Sequence, residues 1–153
     1  MSFFLELSIR PIEFGAASSV NAVFFDETNS EVISVNNDAE IVINSQNYAR
    51  YARNVKLQPH GAIYAIKSSI QNTMLAVQRS HLAIDIFQRE NRSGVADSSI
   101  APSNKMQIHS FYWMPNDQIC IITNKSIELF QLFAQTLKTK LLFKQEISVS
   151  AQN

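Results

Sequence analysis

Glycine and cysteine are scarce in this chain of 153 residues, which contains three glycines and one cysteine. At average usage, about 7%, roughly eleven glycines would be expected. Phosphate-binding loops, dinucleotide fingerprints and nucleophile elbows need clustered glycines, whereas Gly15, Gly61 and Gly94 lie far apart. The lone Cys120 cannot form an internal disulfide, which excludes a disulfide-stapled secreted module and favours a reducing compartment.

Net charge is also lacking, because 13 Lys and Arg residues balance 13 Asp and Glu residues. The basic charge that marks most nucleic-acid-binding proteins is therefore missing, and we expect no nucleic-acid partner. No apolar run approaches the roughly 18 residues of a transmembrane helix. Glu6 interrupts the N-terminal apolar run where a signal peptide would continue. The sequence predicts a cytoplasmic location, with any membrane contact made through partners.

Residues that could carry chemistry do not cluster along the chain. His60, His81, His109 and Cys120 are spaced too widely to predict a metal site. Cys120 alternates with apolar neighbours, which predicts a buried, unreactive thiol. The paired carboxylates at 26–27 fall in a predicted turn, where Asp usually bonds to the backbone. We expect no catalytic residue, no metal ligand, no cofactor and no enzymatic activity.

Apolar residues recur with period two or in short runs, and they are separated by Asn, Asp, Ser and Thr. No window of a dozen residues keeps a 3.6-residue stripe, although 127–142 contains several good helix formers. The pattern predicts an all-β fold. Its predicted strands cover 3–9, 20–25, 32–35, 41–43, 51–57, 63–66, 74–77, 82–87, 108–114, 119–123, 127–133 and 141–143.

These strands form three similar sets. The sets begin at Val20, Ile63 and Ile108, so their starts are 43 and 45 residues apart, which matches the period of about 40–45 residues of a WD-type propeller blade. Val23, Ile66 and Phe111 are predicted to occupy equivalent positions on the inner strands. The turns at 26–30, 69–73 and 115–118 are then equivalent loops, and loops on a rigid scaffold are where partners usually bind.

About three blades are present, and a closed propeller needs four to eight. We expect residues 3–146 to form an incomplete propeller and residues 147–153 to begin a further blade or form a disordered tail. The chain is then the front part of a longer protein. We expect the strand at 3–9 to lie outside the first blade, and the polar segment 90–99 to form a flexible loop or a poorly formed outer strand.

Two segments have the composition of a binding surface. In 47–56, aromatic and basic residues interleave as they do in nucleic-acid-binding surfaces, but a solvated outer strand with Arg and Lys protecting its edge is the favoured interpretation. An acidic protein or an anionic membrane surface is a minor alternative. The aromatic run 111–113 could form a binding platform, although packing of Trp113 between blades is favoured. The partner-binding residues remain unassigned.

Several short motifs resemble the N-terminal region of the regulator of the Mon–Ccz complex, the Mic or colon-cancer-associated Mic family. The resemblance runs in family order over most of the chain, and its more specific parts are 20–29 and 75–79. The other resembling motifs are 5–7 with Arg10, Pro11 and Phe14, then 111–113 and 127–132.

The resemblance implies an N-terminal β-propeller followed, in the full-length family, by a helical domain. It also implies association with the Mon–Ccz guanine-nucleotide exchange complex, which activates the late-endosomal Rab GTPase in endosome–lysosome maturation and autophagy. We therefore expect a non-catalytic scaffold, peripheral on late endosomes and lysosomes. The alternatives are a propeller adaptor of another coat or tethering assembly, and an enzyme whose site lies in further blades.

Overall fold

The structure, a computed structural model, describes residues 20–45, 52–58, 61–88 and 90–148. In this part of the chain all long elements are strands, and they pair into three four-stranded antiparallel sheets in sequence order. The first sheet contains β1 (Val20–Asp26), β2 (Glu31–Asn36), β3 (Glu40–Ser45) and β4 (Ala52–Lys56). The second contains β5 (Ala65–Ser68), β6 (Met74–Gln78), β7 (Ile84–Gln88) and β8 (Ser98–Ile100). The third contains β9 (Ile108–Met114), β10 (Gln118–Thr123), β11 (Ser126–Phe133) and β12 (Lys138–Glu146).

The first strands of the sheets are neighbours in space, because β1 contacts β5 and β5 contacts β9. These strands therefore form the inner side of the assembly, and β4, β8 and β12 lie at the outer edges of their sheets. One turn of 3₁₀-helix, Ser103–Lys105, precedes the third sheet. This arrangement confirms the all-β prediction and the assignment of three blades.

Two hydrophobic cores lie between the sheets. The first and second sheets enclose a core that includes Ile33, Ile41, Ile66, Val77 and Phe87. The second core lies between the second and third sheets and includes Ala76, Ile86, Phe111, Trp113 and Ile121. Because alternate side chains of a strand point to opposite faces, the middle sheet contributes Val77 to one core and Ala76 to the other.

Of the strands whose burial the structure describes throughout, the second strand of the middle sheet is the most deeply buried. All five residues of β6 are buried, whereas β5 and β9 alternate between buried and more exposed side chains. The first strands of the second and third sheets, which line the inner side, are therefore less buried than β6. In the middle sheet, β6 lies between β5 and β7 and has a core on each face, so neither of its faces reaches solvent.

Val23, Ile66 and Phe111 confirm the repeat alignment. Each lies on the first strand of its sheet and points toward the side of the preceding sheet, which we call the leading face. Ile66 and Phe111 are buried against that preceding sheet. Val23 is 57% exposed, because among the described residues no sheet precedes the first one.

The segment 90–97 is an ordered loop ahead of a short outer strand. The Asn91 amide nitrogen Nδ2 donates to the Val95 carbonyl and to the Asp97 carboxylate, both at 2.8 Å. The backbone N–H groups of Ser93 and Gly94 donate to the Asn91 amide oxygen. The structure therefore shows an ordered loop over 90–97 and a short outer strand, β8, which contains only the last two residues of the segment 90–99.

Gly94 in this loop lies against the first sheet, and we expect Gly94→Ala to lower the free energy of unfolding by about 2 kcal/mol. Gly94 has φ +72°, and an added Cβ would lie 2.6 Å from the Lys56 carbonyl oxygen. Gly61 also has φ +72°, but its Cβ would meet nothing within 4 Å. Gly61→Ala is therefore the matched control, with an expected loss of about 1 kcal/mol. Urea denaturation measures both, and equal losses would contradict the close approach to Lys56.

Candidate partner-binding surface

The three equivalent hairpin turns lie along one edge of the sheets, which we call the hairpin rim. It is formed by residues 27–30 after β1, 69–73 after β5 and 115–117 after β9. The β11–β12 turn at 134–137 lies on the same edge, because the β11 residue Leu132 donates its backbone N–H to the carbonyl of Asp117. The structure thus brings the three predicted loops to one side of the arc.

Polar side chains join the first and second sheets at the hairpin rim. The backbone N–H of Ser68 donates to the Asp26 carboxylate at 2.9 Å, and the Asn29 amide nitrogen donates to the Ser68 carbonyl at 2.9 Å. The Ser68 hydroxyl donates to the Glu31 carboxylate at 2.7 Å, and Asn72 donates to the same carboxylate at 3.3 Å. Asp26 and Glu31 are both buried, so these carboxylates connect the sheets and are not open to a partner.

The second and third sheets are joined by other contacts. The indole Nε1–H of Trp113 donates to the Lys67 carbonyl at 2.9 Å, and the Lys67 ammonium donates to the Phe111 carbonyl at 2.6 Å. The same ammonium lies 4.2 Å from the centre of the Tyr112 ring, which is a cation–π distance. Nearer the outside, the Gln88 side chain donates to the Ala134 carbonyl at 3.3 Å. Trp113 therefore packs between blades, which confirms the favoured interpretation of the aromatic run.

Side chains at the tips of the hairpin rim are exposed. Glu27 and Thr28 are exposed in the first turn, Ile70 and Gln71 in the second, and Pro115 in the third. The Asp26 carboxylate holds the first turn by accepting from the N–H of Thr28 at 3.1 Å, as expected for Asp before a turn. The Ser69 hydroxyl oxygen holds the second by accepting from the N–H of Thr73 at 3.1 Å. The rim therefore offers accessible side chains on a rigid support.

Apolar side chains are exposed on both end faces of the arc. Val23 and Phe25 are exposed on the leading face of the first sheet, and Tyr112, Met114 and Phe133 on the opposite face of the third sheet. Cys120 lies half-buried on that second face, and its burial raises the pKa of the thiol. The thiolate is the reactive form of cysteine, so the raised pKa agrees with a poorly reactive thiol.

Two clefts open on the edge opposite the hairpin rim. One, of about 440 Å³, lies between the second and third sheets and is lined by Tyr64, Lys67, His81 and His109 among others. The rings of Tyr64 and His81 are 4.5 Å apart there. The equivalent cleft between the first and second sheets, of about 370 Å³, is lined by Arg79, two asparagines (Asn36 and Asn37) and small apolar residues. The sequence pattern did not predict either cleft, since the lining residues come from separate turns.

The sequence candidates for metal binding do not form a cluster in the described residues, where no three His, Cys, Asp or Glu side chains are placed to share a metal ion. His60 lies outside those residues, as do the strand predicted at 3–9 and the first half, 47–51, of the basic segment 47–56. The end of that segment is β4, which lies at the outer edge of the first sheet as predicted. Over the same described ranges, no helix is long and apolar enough to span a bilayer.

The order of the three sheets and their motifs agrees with one known family. A family model described as "Regulator of MON1-CCZ1 complex, N-terminal" matches residues 23–138, which include most of all three sheets. The chain belongs to this family. The mouse protein named "Regulator of MON1-CCZ1 complex" is 32% identical over 152 residues, and the human protein of that name is 30% identical over the same length.

In both comparisons the alignment covers 97% of this chain and 23% of the relative, so the chain spans about a quarter of the length of these relatives. Among solved structures, Kluyveromyces lactis Hsv2 superposes with a TM-score of 0.62 at 14% identity, covering 87% of this chain and 50% of Hsv2. The WD40 domain of SCAP from fission yeast gives a TM-score of 0.58 at 15% identity, covering 86% and 34%. At such identities these structures show the fold alone, a WD-type β-propeller of which this chain forms three blades.

Proposed function

We propose that this chain is part of a non-catalytic scaffold that associates with the MON1–CCZ1 complex. The observation that carries the proposal is the family match over 23–138, because it includes most of the three blades and all three turns of the hairpin rim. In the wider process implied by the family resemblance, the partner complex exchanges nucleotide on a late-endosomal Rab GTPase during endosome–lysosome maturation and autophagy. The scaffold would act peripherally on late endosomes and lysosomes.

The hairpin rim is the surface that fits this role best. Its backbone is held by hydrogen bonds between neighbouring sheets, so exposed side chains at its tips keep fixed relative positions. A rigid surface loses little conformational entropy when it binds, which favours affinity. The apolar side chains on the two end faces offer a different kind of contact, but they occupy the positions at which sheets of this fold pack on one another.

Affinity capture tests the proposal. A tagged full-length protein containing this region should recover the MON1 and CCZ1 subunits from cells, whereas a variant ending at Asn153 should recover little of either. Recovery of coat or tethering subunits in their place would favour the adaptor alternative. Failure of the full-length protein to recover MON1 and CCZ1 would contradict the proposal.

A charge substitution on the rim locates the contact. The double variant Glu27→Arg with Gln71→Arg changes two exposed rim tips, and we expect recovery of both subunits to fall about tenfold, the equivalent of about 1.4 kcal/mol. The control, Glu146→Arg with Asn124→Arg, makes the same charge change at exposed positions on the opposite edge. Equal recovery by the two double variants would contradict a role for the rim.

A further inference from the structure

The outer strand of the third sheet has a long edge. β12 has nine residues, whereas the outer strands β4 and β8 have five and three. Among the described residues, β12 pairs with β11 alone. Residues of an antiparallel pair alternate between hydrogen-bonded and non-hydrogen-bonded positions, so about half of β12 directs its N–H and C=O groups away from β11. Another extended backbone matches such a row of donors and acceptors, so this edge suits a polypeptide strand.

The centre of this edge strand is apolar and exposed. Leu141 is 40% exposed, Leu142 45% and Phe143 52%. Proteins usually prevent unwanted pairing at an edge with a short strand, a proline or a covering segment. β12 is long and contains no proline, and eight of its nine side chains are exposed. Its apolar centre is therefore accessible to an added strand.

Two lysines of β12 carry positive charge that is not balanced nearby. The Lys144 ammonium lies 3.9 Å from the buried Glu128 carboxylate, which offsets its charge. For Lys138 and Lys140, no carboxylate in the described part of the chain lies within salt-bridge distance. These two lysines therefore favour a negatively charged neighbour.

Both lysines lie on the same face of the third sheet. Lys138 pairs with Phe133 of β11 and Lys140 with Gln131, whereas Leu132, between those two, belongs to the core between the second and third sheets. Because alternate side chains of a strand point to opposite faces, the lysines lie on the face turned away from the second sheet. A strand added to β12 would therefore place two residues, two positions apart, directly beside them.

A second copy of the chain fits this edge poorly. Two copies paired antiparallel and centred on Leu142 would place Lys140 of each copy opposite Lys144 of the other. Like charges directly opposite one another in a sheet are destabilising, and lysines on edge strands commonly prevent pairing between copies. The charge of β12 thus disfavours self-pairing and favours an acidic strand.

We propose that the outer edge of β12 binds an extended acidic segment of a partner polypeptide as a fifth strand of the third sheet. The backbone of the segment pairs with the outward N–H and C=O groups of β12. Two acidic side chains, two positions apart, lie beside Lys138 and Lys140, and an apolar side chain covers Phe143. This inference does not rest on the proposed MON1–CCZ1 association, because peptides of this pattern test it on the chain alone.

NMR titrations of the ¹⁵N-labelled 153-residue chain test the proposal with three peptides. The first is acetyl-Thr-Val-Thr-Ile-Thr-Glu-Val-Glu-Thr-amide, the second has Gln in place of both Glu residues, and the third is the first peptide with every backbone nitrogen methylated. We expect the acidic peptide to shift the amide signals of 138–146 with a Kd of about 1 mM. The Gln peptide should bind about fivefold more weakly, and the methylated peptide, which lacks main-chain donors, should give no saturable shift.

Three results would overturn the proposal. Equal binding of the acidic and Gln peptides would remove the role of charge, and saturable binding of the methylated peptide at 138–146 would remove the role of strand pairing. Shifts of the same signals with protein concentration, in the absence of peptide, would show that a second copy occupies the edge.

Charge reversal provides the matched comparison. Lys138→Glu with Lys140→Glu should weaken binding of the acidic peptide about tenfold, and a peptide with Lys in place of both Glu residues should bind this double variant more tightly than the unmodified chain. Lys56→Glu with Lys105→Glu makes the same charge change at exposed positions on β4 and on the 3₁₀ turn and should leave binding unchanged. Equal weakening by the two double variants would show a non-specific charge effect and overturn the proposal. If the first double variant does not fold, the three peptides on the unmodified chain decide the result.

Discussion

Replacing Trp113 with alanine is expected to lower the free energy of unfolding by about 3–5 kcal/mol. Its side chain is 7% exposed, lies in the core between the second and third sheets, and donates to the Lys67 carbonyl. Removing the indole leaves a cavity between two sheets and an unpaired carbonyl. Urea denaturation followed by circular dichroism measures the loss without depending on the fluorescence of the only tryptophan.

Phe25 provides the matched control, because it occupies the position of the first repeat that Trp113 occupies in the third. Its side chain is 57% exposed, so Phe25→Ala should cost less than about 1 kcal/mol. We expect the two losses of stability to differ because the second sheet covers Trp113, whereas no described sheet covers Phe25. The two residues hold the same position in the repeat, so that position is not the cause. Similar losses for the two variants would show that Phe25 is covered and would contradict the exposed leading face.

Asp26→Ala is expected to cost about 3 kcal/mol. The carboxylate accepts hydrogen bonds from the backbone of Thr28 and Ser68 and from the side chain of Asn29. Its loss leaves the buried N–H of Ser68 without an acceptor and removes a contact between two blades at the hairpin rim. Chemical denaturation measures the loss of stability, and weaker capture of MON1 and CCZ1 would accompany it in the full-length protein.

Two control variants separate these contributions. Asp26→Asn keeps one acceptor oxygen and should cost about 1 kcal/mol. Asp38→Ala makes the same chemical change in the exposed β2–β3 turn on the opposite edge and should change stability by less than about 0.5 kcal/mol. An Asp26→Ala loss no larger than that of Asp38→Ala would contradict the bridging role of this carboxylate.

The fold could be predicted from the sequence because blade geometry depends on local patterns. Alternation and turn residues located most strands within two residues, and the 43- and 45-residue offsets set Val23, Ile66 and Phe111 in register. Element ends were less predictable. The last strand, predicted at 141–143, extends over Lys138–Glu146, because pairing with β11 orders polar residues that carry no strand pattern of their own.

The surfaces were harder to predict than the strands. The three rim turns followed from the repeat, but the bonds of Ser68 to Asp26 and Glu31 join positions about 40 residues apart, a pairing that no local pattern encodes. The same holds for the bond from the Arg79 guanidinium to the Gln58 carbonyl, which joins residues 21 positions apart. Burial of polar atoms between sheets is decided by tertiary packing, and a single sequence gives no measure of it.

The middle sheet packs against both neighbouring sheets, and side chains of its strand β6 enter both hydrophobic cores. Along this strand Ala76 and Val77 are adjacent in sequence but belong to different cores. The two cores are therefore coupled through the strands of the middle sheet, and a disturbance in the first sheet can reach the third by way of them. In proteins built from stacked units, stability is close to a sum of each unit and its contacts with its neighbours. Among the three described sheets, the middle one packs against two neighbours and each outer one against a single neighbour. The outer sheets are therefore expected to unfold locally at a lower free-energy cost than the middle sheet.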